Sequence, residues 1–343
     1  MSLDVAAAES LVLMGPPGAG QAALLRVVAG LERPDGGDFL LAGRPMLRTP
    51  AAQRGIGLAL ADQPIPPATT LTAAVAAPLR AGGMAREAAA AAASAALALL
   101  GLAGREAERA GALGPTDLAL LALARAAAGR PALVLLEEPF AGLDRASRTA
   151  LQTKWQAVRH MLGAACLHVT TDEIEALRLA DRIGVLAKGA LRQIGTPEQL
   201  YDAPDDAFVA RFLGEHNMLR GRTLEIEDDL ARIRLECGPM VGARLADALP
   251  GQSCLVAIRP ERVAVASVAA AEMGEGALPA RLTETRFMGD HIRLTLEVGL
   301  PGRPPAVLLV KRPAGVPGLR PGEASVAWRA YDAWAFAPVP GVY

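Results

Sequence analysis

The sequence predicts an α/β domain followed by a smaller all-β, barrel-like domain, and three observations carry that prediction. A short apolar run, Leu11-Val12-Leu13-Met14, leads into the glycine-rich stretch Gly15-Pro16-Pro17-Gly18-Ala19-Gly20 and then into Leu24-Leu25-Arg26-Val27-Val28, which reads as strand, loop and helix. A second run, Ala132-Leu133-Val134-Leu135-Leu136, is wholly apolar and stops at Glu137-Glu138-Pro139. Such a run suits a central parallel strand covered on both faces, with its carboxylates at the end where open α/β sheets place their ligands. Beyond Gly214 the texture changes to short alternating segments, such as residues 231–235 and 292–298, separated by Gly and Pro turns. A chain of 343 residues, 52% of them hydrophobic, is long and apolar enough for about two domains, expected at 1–214 and 215–343.

The elements between these landmarks follow in order. Glu32-Arg33-Pro34-Asp35-Gly36-Gly37 is a turn by composition, and Asp38-Phe39-Leu40-Leu41-Ala42-Gly43 a short strand ending in a second turn. Residues 56–60 read as a further buried strand, after which Gln63-Pro64-Ile65-Pro66-Pro67 breaks regular structure. Residues 71–130 are rich in Ala and Leu with few β-branched side chains, which predicts a helical block. After the strand at 132–136 come a helix, a strand at Cys166-Leu167-His168-Val169-Thr170, a helix opening at Asp172-Glu173, and a strand at Ile183-Gly184-Val185-Leu186.

Bulk composition excludes several classes. A net charge of −1 lacks the basic excess of a nucleic-acid binder. Three cysteines without C-x-x-C spacing suggest neither a disulfide framework nor a zinc site, and they read as small buried apolar side chains in a reducing compartment. The four histidines, His160, His168, His216 and His291, are scattered, and no metal role is assigned to them. Met1-Ser2-Leu3-Asp4 has no basic segment before an apolar stretch, so no secretory signal is expected. The alanine tract at 88–103 is flanked by Arg86-Glu87 and Arg105-Glu106 and suits a water-exposed helix better than a membrane span. Membrane association is therefore expected through a partner.

The glycine stretch has the layout of a phosphate-binding P-loop, where backbone N–H groups and a helix N-terminus surround phosphate oxygens. That chemistry calls for a lysine at Gln21, to offset the β- and γ-phosphate charge, and for a hydroxyl at Ala22, to hold Mg²⁺. Removing a unit charge about 4 Å from a phosphate costs roughly 4 kcal/mol at an effective dielectric of 20, on the order of a thousandfold in affinity. Weak or absent nucleotide binding is expected.

Taken in order, these features resemble the ATP-binding subunits of ABC importers. The resemblance rests on Leu121-Ala122-Leu123-Ala124-Arg125-Ala126, on Arg130-Pro131 through Glu137-Glu138-Pro139-Phe140-Ala141-Gly142-Leu143-Asp144, on Ala180-Asp181-Arg182-Ile183, and on Gln193-Ile194-Gly195-Thr196-Pro197-Glu198-Gln199-Leu200-Tyr201. Phe208-Val209-Ala210-Arg211-Phe212-Leu213-Gly214 and Ile258-Arg259-Pro260-Glu261-Arg262 are similar to the branch that carries a C-terminal OB-like (TOBE) regulatory domain, found with polyamine, iron, sugar and oxyanion transporters. The resemblance implies a P-loop NTPase fold with a helical subdomain, ATP and Mg²⁺ as cofactors, and head-to-tail dimers in which ATP lies between one P-loop and the other protomer's signature motif. It also implies transmembrane permease subunits and a second ATP-binding subunit, identical or different, as partners. A solute-binding protein would be an indirect partner, and the location would be cytoplasmic, peripheral on the inner face of the membrane.

Carried onto this chain, the phosphate-loop positions are Gly15, Gly18, Gly20, Gln21, Ala22 and Ala23. The Q-loop glutamine falls on Ala61 counting from Ile56-Gly57 and on Gln63 counting back from Leu71-Thr72. The signature corresponds to Leu113-Gly114-Pro115-Thr116-Asp117, with Gly114 and Asp117 at nucleotide-contacting positions; it loses the serine hydroxyl and the glycine backbone donors and places the Asp117 carboxylate where the opposite γ-phosphate would approach. Asp144 belongs to a turn expected at the dimer interface. Glu137 holds the Mg²⁺-ligand position with one methylene more than the family's aspartate, and Glu138 holds that of the water-orienting carboxylate. Thr171 replaces the switch histidine, with His168 three positions too early. For the family's first strands and their adenine-stacking aromatic residue, the expectation is either that they are absent or that the start is misassigned.

Two functions of different class follow: an active ATPase with Glu138 as its base, or a pseudo-ATPase that keeps the fold, docks on a permease and pairs with an intact ATPase. Decay of a redundant gene is a third reading. In the second domain, Arg259-Pro260-Glu261 and Met288-Gly289-Asp290-His291 resemble elements of the regulatory domain, expected to make subunit contacts rather than to line a ligand pocket.

Overall fold

The apolar runs of the first half become strands of one sheet. In the computed structural model, which describes residues 1–60, 64–267, 277–315 and 319–338, the first unit spans Met1–Glu198 and the second Gln199–Tyr343. The first unit runs β1 (Ser10–Met14), α1 (Gln21–Ala29), β2 (Leu40–Leu41), β3 (Arg44–Pro45), β4 (Ile56–Ala59), α2 (Leu71–Ala81), α3 (Arg86–Leu99), α4 (Pro115–Ala127), β5 (Leu133–Glu137), α5 (Arg145–Leu162), β6 (Ala165–Val169), α6 (Glu173–Leu179), β7 (Arg182–Ala187) and β8 (Ala190–Gly195). The sheet order is β4-β5-β6-β1-β7-β8, parallel except for the final antiparallel pair. Every residue of β1 and β6 is buried, as continuous apolar runs covered on both faces require.

The helical block is α2, α3 and α4. Ala89, Ala93, Ala96 and Leu97 form the buried stripe of α3, at helical spacing, and join Leu71, Val75, Leu121 and Ala124 in one core. Small side chains let these elements approach closely. The tightest case is Gly57 of β4, where an added Cβ would lie 1.9 Å from the Ala126 carbonyl oxygen, so α4 rests directly on the strand's backbone. Helix starts are marked by side-chain caps: Thr70 accepts from Ala73 N, Asp144 from Ala146 N and Ser147 N, and Asp172 from Glu175 N.

One element differs from expectation. The strand expected over 38–43 shrinks to Leu40–Leu41, paired with Arg44–Pro45 across Ala42 (φ 49°) and Gly43 (φ 76°). Among the described residues this hairpin bonds to its own return strand and not to a larger sheet.

In the second unit α7 (Pro197–Asp202) and α8 (Ala207–Phe212) precede β9 (Asn217–Glu227), β10 (Leu230–Leu235), β11 (Met240–Leu245), β12 (Ser253–Ile258), β13 (Ala264–Ala266), β14 (Leu278–Phe287), β15 (His291–Val298), β16 (Ala306–Pro313), β17 (Gly322–Ala327) and β18 (Ala333–Phe336). A closed barrel, β10-β11-β18-β12-β9, is joined by a sheet of order β13-β17-β14-β15-β16, and their alternating inward residues share one core that includes Leu219, Ile233, Val256, Leu294 and Val310. Residues 199–214, which the sequence reading assigns to the first domain, fall in this unit. Ala207 and Ala210 of α8 are buried against Leu255, Ala257 and Phe336 of the barrel. Among the described residues no helix is long and apolar enough to cross a membrane.

Candidate functional site

The glycine loop is built by backbone conformation. Gly18 (φ 81°) and Gly20 (φ 107°) take left-handed angles that side chains resist, and Gly20 stands at the N-terminus of α1. Ala19 N donates to Pro16 O at 3.0 Å, and Gly189 N donates to Ala19 O at 3.0 Å, tying the loop to the turn after β7. Gly15 is forced by space: a Cβ there would meet the Leu186 carbonyl at 2.4 Å and the Gln21 amide nitrogen at 2.6 Å. The Gln21 side chain, buried in the first turn of α1, thus folds back against Gly15. Ala22 and Ala23 follow it with neither charge nor hydroxyl. The loop therefore fits backbone contact with a phosphate. It does not fit the cation and Mg²⁺ half of a nucleotide site.

The carboxylates lie at the end of β5. Glu137 closes the strand, in register with Val169 of β6. Glu138 takes a left-handed φ of 45°, its N–H donating to Val169 O at 3.0 Å. Its Oε1 accepts from the Thr171 backbone N–H at 2.6 Å and its Oε2 from the Thr170 hydroxyl at 3.2 Å. The structure thus joins Glu138 to the Thr171 position, as a clip in which Thr171 contributes backbone rather than side chain.

His168 has another place. It is buried under the edge of Phe140, with Nε2 3.0 Å from Glu175 Oε1 but misaligned for a hydrogen bond, while Gln152 Nε2 donates to Glu175 Oε2 at 3.1 Å. This is an interior polar cluster.

At the signature position Gly114 precedes α4 without a side-chain cap, Pro115 opens the helix and Asp117 lies in its first turn. Asp117, expected near the opposite γ-phosphate, is paired within the chain: its Oδ2 accepts from Arg105 Nη1 at 2.8 Å, and Arg105 also holds Glu108 through Nε at 2.6 Å. Glu108 first, then Asp117, push the Arg105 guanidinium pKa above its ordinary value. Asp144 acts locally: the Ser147 hydroxyl, and then the Ser147 and Ala146 N–H groups, hold its carboxyl below the usual range at the start of α5. Gln63 and Ala61 lie outside the described residues.

A groove of about 540 Å³ that the sequence did not announce lies among α2, α4 and β4, walled by Ile56, Leu58, Ile65, Leu79 and Pro131, with the partly buried Arg125, whose pKa burial lowers. Only its apolar helical periodicity pointed that way.

Residues 1–141 match the family model described as ABC transporter, and residues 256–336 the one described as TOBE domain. The spermidine/putrescine import ATP-binding protein PotA of Rubrobacter xylanophilus is 33% identical over 334 residues, covering 96% of this chain and 87% of that protein. The chain belongs to the ATP-binding subunits of ABC importers. The Fe(3+) ions import ATP-binding protein FbpC of Rhizobium etli is 31% identical over 297 residues, 87% of this chain and 82% of the relative. That of Streptomyces avermitilis is 37% identical over 274 residues, 76% and 79%. Subunits of this family bind ATP and Mg²⁺ in general and work with transmembrane permeases.

Proposed function

We propose that this import subunit is a docking and regulatory one whose own ATP hydrolysis is impaired or absent. The reading is carried by the first turn of α1, where Gln21 and Ala22 supply neither cation nor Mg²⁺ ligand and the Gln21 amide folds back against Gly15. The Glu138 clip supports it, since both carboxylate oxygens already accept hydrogen bonds.

The groove among α2, α4 and β4 is the surface best suited to a permease segment, because it is an apolar recess of about 540 Å³ in the first unit. Docking there holds the subunit on the inner face of the membrane. In a head-to-tail pair, two copies of this chain would make two sites defective on both sides, so an intact ATPase is the better partner. The relatives' names make a polyamine or ferric iron the solute class to try first.

Steady-state phosphate release by the purified chain should equal that of Glu138→Gln, and a clear drop on that substitution overturns the reading. The second reading, an active ATPase, is favoured by the retained Glu138 at the end of β5. Co-expression with permease and ATP-binding subunits separates the assemblies: a homodimer closing on ATP, with no heteromeric partner recovered, favours the second.

A further inference from the structure

We propose that Asn217 locks the open edge of the second unit's sheet, and so keeps two copies of this chain from joining strand to strand through β16. Among the described residues β16 is the outer strand of the order β13-β17-β14-β15-β16. An outer strand presents a row of main-chain N–H and C=O groups to whatever strand arrives next. Here the sequence sharpens that exposure. Ala306-Val307-Leu308-Leu309-Val310 is an uncharged, apolar run of the kind that stacks edge to edge, set between Arg303-Pro304-Pro305 and Lys311-Arg312-Pro313. The charges and prolines guard its two ends but not its middle.

The middle is where Asn217 acts. It opens β9, is 4% exposed, and its amide takes both main-chain groups of one residue: Nδ2 donates to Leu309 O at 2.8 Å, and the Leu309 N–H donates to Oδ1 at 2.6 Å. A neighbouring strand would make that same pair of bonds. Successive residues of a strand turn their main-chain groups to opposite sides, so the outward pair on Leu309 puts those of Val307 and Lys311 on the same open side.

Glu215 fastens the same strand through side chains. Its carboxylate lies between Arg293 and Lys311, directly opposite each other on β15 and β16, at 2.5 and 3.3 Å. Like charges facing across a sheet loosen it, and Glu215 offsets them. With β16 held in place, what Asn217 withholds is its edge. The occupant that fits a freed edge is a second β16, because an antiparallel strand edge is complementary to itself about a two-fold axis. Val307, 61% exposed, would carry the apolar contact beside it.

The test compares the full-length chain with Asn217→Ala by light scattering on a sizing column over a rising concentration series, with hydrogen exchange read over residues 306–313. The mass of Asn217→Ala should move toward about twice the parent's, as a closed pair requires. Its exchange over 306–313 should slow as concentration rises, whereas the parent's should not depend on concentration. Adding Val307→Lys, a charge on the exposed face of the run, should return Asn217→Ala to the parent's mass. Should Asn217→Ala fail to fold, Asn217→Ser keeps a hydroxyl that cannot bond both Leu309 groups, and it should associate in the same way. An Asn217→Ala chain that folds and keeps the parent's mass and exchange overturns the proposal. So does association that Val307→Lys leaves unchanged, which would put the contact away from β16.

Discussion

Around the glycine loop, side chains that would face a nucleotide end in contacts within the chain: Gln21 lies against Gly15, Glu138 is clipped to Thr170 and Thr171, and Asp117 is held by Arg105. In a pocket of the second unit where Arg244, Arg259 and Arg262 face Asp202 and Asp332, by contrast, Arg244 Nε and His216 Nδ1 are buried with no hydrogen-bond partner. Buried polar groups without partners are costly, and the first unit keeps some too, at His168 Nε2, Glu175 Oε1 and Arg148 Nε, away from the glycine loop. The two regions differ in how far their charged groups are paired within the chain.

The largest test refits the first region. Gln21→Lys with Ala22→Ser restores the cation and the Mg²⁺ ligand, and nucleotide affinity should rise by up to roughly a thousandfold, about 4 kcal/mol. Fluorescent-nucleotide titration reads this, and no gain would mean that the loop geometry or the adenine side is also deficient. Turnover should stay low, because Glu138 remains clipped.

The next test concerns the pocket and pH. The folded pKa of His216, about 4, lies below its ordinary 6.5, so His216 contributes full stability above pH 6.5. As pH falls from there toward 4 the unfolded chain takes up a proton that the folded chain refuses, and stability should drop by about 3 kcal/mol in total. Urea unfolding of His216→Gln should lack that increment. Around the imidazole lie Arg244, Arg259, Arg262, Asp202, Asp332 and Glu261.

Smaller again is Glu138→Ala. Losing the two hydrogen bonds to Thr170 and Thr171 should cost about 1 to 2 kcal/mol in urea unfolding, without changing phosphate release. A fall in phosphate release with unchanged stability would reverse the contrast between the two regions. Smallest is Arg105→Gln: its pairs with Glu108 and Asp117 are only half-buried, and the unfolding midpoint should hardly move.

Elements written in local pattern were legible. Leu11-Val12-Leu13-Met14 and the run at 132–136 are apolar without alternation, and both became interior parallel strands. The glycines of the loop signalled a turn that side chains could not make. The alternation at 231–235 and 292–298 gave the β character of the second unit. What escaped depends on residues distant in the chain. The pocket brings together 201, 216, 244, 259, 262 and 334, and no spacing rule links those numbers. Arg105 meets Asp117 across a turn between helices, outside the periodicity of either helix. Glu138 was legible as a carboxylate at a strand end, but its clip comes from a strand crossover that residue types do not encode.

Where Gly57 meets Ala126, strand β4 and helix α4 touch through backbone alone, and both also wall the apolar groove. Side chains can change rotamer under load, but a carbonyl against a glycine cannot. The junction fixes how near helix and strand can come at that point. A permease segment docked in the groove, as proposed above, would meet a strand and a helix whose separation has no soft side-chain layer to yield.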